Sequence, residues 1–101
     1  MFGLLHTDIE YIKDTISKFG TIEKAIVFGS RAMGNYKKGS DVDIAIFGKN
    51  ISTEDLFKLN DVLNEVSPLP YFFDILQYEN ILNDNLKKHI DDKGKILFEK
   101  T

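Results

Sequence analysis

Three stretches of the chain carry apolar residues every three or four positions, the spacing that lines one face of a helix. The first helix is predicted over Thr7–Phe19, opened by a capping box that joins Thr7 to Glu10. The second is predicted to begin after Ser52 and to stop at Ser67-Pro68, and the third covers Asn80–Ile90. The inward-facing residues are expected to be Ile9, Ile12, Ile16, Phe19, Leu56, Leu59, Leu63, Val66, Ile81, Leu82, Leu86 and Ile90.

Four shorter runs are typical of strands: Lys24–Phe28, Asp41–Phe47, Tyr71–Leu76 and Lys95–Phe98. Alternation within the second run puts Val42, Ile44 and Ile46 on one face and Asp41, Asp43, Ala45 and Phe47 on the other. The order helix, strand, strand, helix, strand, helix, strand predicts an α/β (α+β) fold, a small mixed β-sheet with helices packed mainly on one face. Periodicity alone leaves the order of the strands in the sheet open.

The composition limits what such a fold can do. A length of 101 residues predicts a single domain over 1–101. The 13 Lys and Arg against 16 Asp and Glu give a net charge of −3, which argues against direct nucleic-acid binding but is compatible with one phosphorylated ligand. The absence of cysteine excludes disulfides and thiolate metal sites. No basic leader precedes the short apolar stretch Met1–Leu5, so we expect a soluble, cytoplasmic protein with no membrane segment.

Three aspartates inside strand-like segments are the most unusual feature of the chain. Asp41 and Asp43 stand two positions apart, so both carboxylates share one face of a strand, and Asp74 lies between Phe73 and Ile75 in a later one. Asp is depleted in strands, and a buried carboxylate needs compensation nearby. Because the available ligands are all oxygens, Mg²⁺ or Mn²⁺ is favoured over zinc. Taken alone, such a pair is more often an exposed strand end.

A Gly-Ser turn precedes the aspartate pair. Gly29-Ser30 ends the first predicted strand, where backbone N–H groups and the serine hydroxyl would surround a phosphate. Glycine allows the backbone to approach a ligand closely. An isolated Gly-Ser pair is more often an ordinary turn from a strand into a helix, capped by the serine, and the spacing of a P-loop is absent.

The run from Gly29 to Ile44 joins these parts in a fixed order: a Gly-Ser turn, a glycine-containing loop and Ser-Asp-x-Asp. It resembles the signature of the DNA polymerase beta-like nucleotidyltransferase superfamily. It looks most like the minimal nucleotidyltransferases (MNT), small proteins often paired with a helical HEPN-domain partner in prokaryotic toxin–antitoxin systems. The resemblance covers the whole chain in outline, although only the central motif is diagnostic, and it implies the polymerase beta-like nucleotidyltransferase fold.

The resemblance also implies roles for particular residues. Gly29 and Ser30 would bind the nucleotide triphosphate, and Arg31 and Ser40 are added as candidate nucleotide-binding residues. The three acids Asp41, Asp43 and Asp74 would be catalytic and would hold two Mg²⁺ ions, or Mn²⁺ in their place.

The activity implied is metal-dependent transfer of a nucleoside monophosphate, AMP from ATP, to a hydroxyl of a partner protein. By resemblance this acceptor is a tyrosine of a HEPN toxin, and the protein would act as the antitoxin. The alternative is a non-catalytic antitoxin that neutralises a helical partner by direct contact. A third hypothesis is transfer to a small molecule, although the relatives that catalyse such transfer carry additional domains. Base preference and the state of homo-oligomerisation stay open.

Other polar residues receive weaker assignments. Lys37 and Lys38 are either solvated loop charges or contacts to phosphate or partner, and Tyr36 is a weak candidate for stacking on a base. His6 and His89 have no companions at ligand or triad spacing, so no chemistry is assigned to them.

Overall fold

A computed structural model describes residues 1–100 of the chain. Its helices and strands follow in the order α1 (His6–Ser17), β1 (Lys24–Phe28), α2 (Ser30–Met33), β2 (Val42–Phe47), α3 (Thr53–Asp61), β3 (Phe73–Gln77), α4 (Asp84–Lys93) and β4 (Lys95–Glu99). A π-helical turn at Val62–Val66 extends α3, and a 3₁₀ turn at Tyr78–Asn80 follows β3. Across residues 1–100, no helix is long and apolar enough to cross a membrane.

The strands form one mixed sheet in the order β3-β2-β1-β4. Strand β1 pairs antiparallel with both β2 and β4, whereas β2 and β3 run parallel. A parallel pair needs a crossover connection, and α3 with its π-helical turn provides it. The structure confirms the predicted small mixed sheet and supplies the strand order, which periodicity left open.

The sheet buries one face more deeply than the other. Most of the core lies beneath α1 and α3, where alternate strand residues such as Val27, Ile44 and Phe73 are completely buried. A smaller cluster on the opposite face joins Phe28 and Ala45 to Ile90 of α4. Packing mainly on one face is thus confirmed, with α4 as the helix on the other face.

Two helix starts differ from those predicted. Helix α1 begins at His6, and the N–H of Leu5 donates to a carboxylate oxygen of Asp8 at 3.3 Å, so the capping box at Thr7 and Glu10 was wrong. Asp8 is preferred because its buried carboxylate also accepts the Tyr71 hydroxyl at 2.9 Å.

The third predicted helix starts four residues later than expected. Asn83 caps α4 by accepting the N–H of Leu86 at 3.1 Å, an effective N-cap interaction. Leu82 consequently lies outside the helix and is 95% exposed, so its predicted inward position was wrong. Val66 is exposed as well, at the last residue of the π-helical turn. The predicted cap at Ser52 is confirmed, because its hydroxyl accepts the Asp55 N–H at 3.0 Å.

Asn64 connects the π-helical turn to the start of strand β3. Its side-chain oxygen accepts the Phe73 N–H at 2.7 Å, and its amide nitrogen donates to the Phe73 carbonyl at 2.9 Å. One side chain thus takes the place of a neighbouring strand on the outer edge of β3. Because Phe73 immediately precedes Asp74, this pairing also helps to fix where Asp74 lies.

We expect Asn64→Ala to lower the free energy of unfolding by about 1–3 kcal/mol, because it leaves two part-buried backbone groups of Phe73 without partners. Urea denaturation measures the difference. The control is Glu65→Ala, an exposed neighbour for which a change below about 0.5 kcal/mol is expected. Equal stability of the two variants would contradict this account of β3.

Candidate active site

The three predicted acids lie at one edge of the sheet, on the face covered by α4. In the parallel pair, Asp43 of β2 is directly opposite Asp74 of β3. On its other side Asp43 is opposite Phe28, the last residue of β1. Asp41 stands two residues before Asp43 and shares its face. Neighbouring strands are about 4.8 Å apart, so the start of β2, the start of β3 and the end of β1 meet at this edge.

The electrostatics of Asp43 reflect this gathering of acids. Asp43 is half-buried, whereas Asp41 and Asp74 are exposed. Burial raises the pKa of the Asp43 carboxyl above the ordinary 3.8, and the charges of Asp74 and Asp41 raise that pKa further. Nearby His89 lowers the pKa and so partly offsets these effects. The folded chain therefore holds a carboxylate where ionisation is disfavoured.

The Gly-Ser turn lies directly against Asp43. Gly29 has φ +72° and ψ −155°, a backbone conformation that is essentially restricted to glycine. A Cβ atom at Gly29 would collide with Asp43 Oδ2, so the carboxylate occupies the space that any larger residue would need. Ser30 follows at the start of the four-residue helix α2. The structure thus brings the predicted phosphate turn against Asp43, one of the three predicted metal ligands.

Arg31 has different surroundings from those expected. It is 4% exposed, and its Nη1 donates to the Phe2 carbonyl at 2.8 Å. Its Nε and Nη2 both donate to the Ser40 carbonyl, at 3.0 and 2.8 Å. The guanidinium also lies 5.3 Å from the ring of Tyr36 and 5.2 Å from that of Tyr71. The guanidinium is buried and holds the loop before β2 against the N-terminal segment, and the nucleotide-binding role of Arg31 stays a prediction.

Ser40 lies in the turn that leads into Asp41. Its hydroxyl accepts the Lys37 N–H at 2.8 Å, and its N–H donates to the Lys37 carbonyl at 3.0 Å. These bonds shape the turn, and the nucleotide-binding role of Ser40 stays a prediction.

His89 contacts the Gly-Ser turn, although no chemistry was predicted for it from the sequence. Its Nε2 accepts the Gly29 N–H at 3.1 Å, and its ring meets that of Phe28 edge-on, with 6.1 Å between the centroids. The contact joins residues 60 positions apart, which no spacing rule detects. The available signal was its place directly before Ile90, a residue predicted to face inward on the third helix.

The three acids are of the residue type that binds divalent cations, but their carboxylates are not grouped into a ligand cluster in this structure. Asp41, Asp43 and Asp74 offer only carboxylate oxygens, the ligands that Mg²⁺ and Mn²⁺ prefer. Within the described part of the chain, no three His, Asp or Glu side chains are grouped tightly enough to form a metal site. The charges of Asp74 and Asp41 nevertheless add to the effect of burial in raising the pKa of Asp43, and a cation near these carboxylates would offset their repulsion.

Comparison with known families agrees with this geometry. Residues 10–101 match the family model described as "Polymerase beta, Nucleotidyltransferase". The chain belongs to the polymerase beta nucleotidyltransferase family. The fold and the enzyme class implied by the motif are thereby confirmed, and the protein is a nucleotidyltransferase.

A curated relative resembles this nucleotidyltransferase over most of its length. It is named "Putative protein adenylyltransferase MJ0604" and comes from Methanocaldococcus jannaschii. The two are 29% identical over 97 residues, which cover 88% of this chain and 92% of the relative.

Three solved toxin–antitoxin structures share the fold. A mutant MntA–HpeT complex gives a TM-score of 0.72 at 18% identity, covering 97% of this chain and 76% of that one. A toxin–antitoxin structure with AMP-PNP gives 0.67 at 21% identity, covering 88% and 74%. A tri-AMPylated Shewanella oneidensis HEPN toxin in complex with its MNT antitoxin gives 0.62 at 18% identity, covering 91% and 73%. At these identities the likeness establishes the fold alone.

We expect Gly29→Ala to displace Asp43 and to weaken nucleotide binding about tenfold or more, because the new methyl group competes with the Asp43 carboxylate for the same space. Calorimetric titration with an ATP analogue measures the change. Gly34→Ala is the matched control, because Gly34 also has a positive φ, +84°, but its Cβ would meet nothing within 4 Å. The left-handed backbone costs this control about 1–2 kcal/mol of stability. Equal nucleotide affinity in the two variants would contradict the prediction.

The raised pKa of Asp43 predicts a pH-dependent stability. Between the ordinary pKa of 3.8 and the raised value, the folded chain binds more protons than the unfolded chain, so stability falls as pH rises through that window. The loss persists at neutral pH, where Asp43 is ionised in both states.

Asp43→Asn should therefore raise the melting temperature by a few degrees at pH 7, and the gain should shrink below pH 3.8. Thermal denaturation monitored by circular dichroism from pH 3 to 8 tests this. Asp92→Asn, which removes an exposed carboxylate of α4, should show no such pH-dependent gain. A variant at Asp43 that melts below the wild type at pH 7 would overturn the reasoning.

Proposed function

We propose that this nucleotidyltransferase transfers AMP from ATP to a hydroxyl group of a HEPN-type partner protein, a tyrosine hydroxyl, and thereby acts as an antitoxin in the cytoplasm. The observation that carries the proposal is the meeting of Asp43, its opposite neighbour Asp74 and Gly29 at one sheet edge. This arrangement places acidic groups beside a turn suited to phosphate.

The chemistry follows from the groups at that edge. The hydroxyl oxygen of the acceptor attacks the α-phosphorus, the new O–P bond forms, and pyrophosphate leaves with the electron pair of the broken P–O bond. Asp74 is exposed and is our candidate to accept the hydroxyl proton. The Gly29-Ser30 turn is our candidate to hold the triphosphate, with the Ser30 hydroxyl as a donor. Most of the catalysis is then positioning and charge stabilisation.

Asp41, Asp43 and Asp74 are the residues that would hold divalent cations, Mg²⁺ or Mn²⁺. Such ions would supply positive charge, which would offset the negative charge of the phosphates. The proposal is supported by the electrostatics of Asp43, whose ionisation is disfavoured by burial and by the two neighbouring carboxylates. Bound cations would relieve this repulsion, so metal binding is expected to raise the stability of the folded chain.

The choice of a protein acceptor is supported by the names of similar proteins. The relative of Methanocaldococcus jannaschii is named as a protein adenylyltransferase, and one solved structure contains a tri-AMPylated HEPN toxin. AMP-PNP in another structure supports ATP as the donor. The tyrosine acceptor and the need for metal can each be tested separately.

Incubation with α-³²P-labelled ATP, Mg²⁺ and the HEPN protein from the neighbouring gene is expected to label that protein. Asp43→Asn should lower the labelling rate by about 100-fold or more, because it removes one of the carboxylates that would hold the divalent cations. Asp92→Asn is the control and should label at the wild-type rate. Chelation of the metal with EDTA should stop labelling, and replacement of the acceptor tyrosine by phenylalanine should remove the label.

Two outcomes would refute parts of the proposal. Full labelling by Asp43→Asn would reject the role of this carboxylate. If the wild type and Asp43→Asn both neutralise the partner and neither transfers label, the protein acts by direct binding, the alternative function.

A further inference from the structure

We infer that His89 is a positioning residue, which holds the Gly-Ser turn in the shape that receives the triphosphate by accepting the Gly29 N–H. The inference rests on the proposed function, because it assigns to His89 a consequence for binding the nucleotide. The Gly29 N–H donates to His89 Nε2 at 3.1 Å, and neither the proposed metal ligands nor the Ser30 hydroxyl takes part in this contact.

The Gly29 backbone needs such a partner. Glycine reaches φ +72° with ψ −155° about as readily as many other conformations, so the contacts of the turn, and not the residue itself, must select this one. Gly29 is the residue at which β1 ends and α2 begins, and its own carbonyl accepts the Met33 N–H at 3.1 Å within α2. Of its two backbone hydrogen-bonding groups, the carbonyl thus serves the helix and the N–H is held by His89. Asp43 Oδ2 lies where a Cβ atom of residue 29 would be.

The position of His89 is itself firmly set by α4. Ile90, the next residue, is 1% exposed and packs with Phe28 and Ala45 on the sheet. At the end of the helix, Gly94 approaches β1 so closely that a Cβ would collide with a methyl group of Ile26. The helix is therefore held against the sheet at two positions that follow His89, one of them the very next residue. An imidazole carried on such a support can hold a turn in place.

The hydrogen bond requires an acceptor at Nε2, which an imidazole supplies when its ring proton is on Nδ1. A glutamine side chain can place its Oε1 close to the position of Nε2, and so can keep the acceptor without the ring. Phenylalanine keeps the ring and its edge-on contact with Phe28 but lacks an acceptor. These two substitutions separate hydrogen bonding from packing.

We expect His89→Phe to weaken binding of α,β-methylene-ATP by about 3- to 10-fold, the value of one hydrogen bond, and His89→Gln to bind within about twofold of the wild type. In the transfer reaction, KM for ATP should rise by the same factor in His89→Phe while kcat changes by less than about twofold, because the turn holds substrate and transition state alike. Hydrogen exchange of the Gly29 amide in the free protein should accelerate in His89→Phe and stay protected in His89→Gln.

The outcomes separate this inference from the proposed function. Wild-type protein that fails to bind α,β-methylene-ATP would refute the proposed function, and exchange at Gly29 would still decide whether His89 holds the turn. Wild type that binds, with His89→Phe binding equally well, would overturn the inference alone. A His89→Gln variant as weak as His89→Phe would also overturn it, because packing rather than the acceptor would then be what matters.

Discussion

The pairing of strand β2 with its two neighbours is the constraint on which the site depends. The antiparallel register with β1 puts Asp43 opposite Phe28, and the parallel register with β3 puts it opposite Asp74. A shift of one residue in either pairing would turn the aspartates toward the apolar core beneath α1 and α3. The burial of Val42, Ile44 and Ile46 on that core face opposes such a shift. The same residues that stabilise the fold therefore set the position of the acids.

Stability and chemistry are divided between the two faces of the sheet. The face beneath α1 and α3 carries almost all of the deeply buried side chains. The face beneath α4 has a smaller cluster and leaves room at its edge for carboxylates and the Gly-Ser turn. The raised pKa of Asp43 shows that this division has an energetic cost in the free protein, since an ionised group is kept where ionisation is disfavoured.

Sequence patterns predicted the parts of the fold that short-range physics controls. Alternation in Asp41–Phe47 assigned the apolar side chains of that strand to their correct faces, and the Gly-Ser and Ser-Asp-x-Asp motif identified the family. Helix ends were less predictable, because Asp8 and Asn83 compete with nearby capping candidates through contacts visible only in the folded chain. The surroundings of Arg31 and His89 were not predictable for the same reason. Each is defined by long-range partners, Phe2 for the arginine and Gly29 for the histidine.

Helix α4 takes part both in the packing of the sheet and in the contacts of the Gly-Ser turn. Its Ile90 belongs to the packing of the sheet, while the preceding residue, His89, reaches the backbone of the Gly-Ser turn. Because adjacent helix residues point about 100° apart, one helix can pack through one side chain and contact the site through the next. A disturbance of the α4 packing should therefore reach Gly29 without altering any acid. By this reasoning the helix that covers the thinner part of the core also determines the shape of the site, although its residues lie outside the motif that identifies the family.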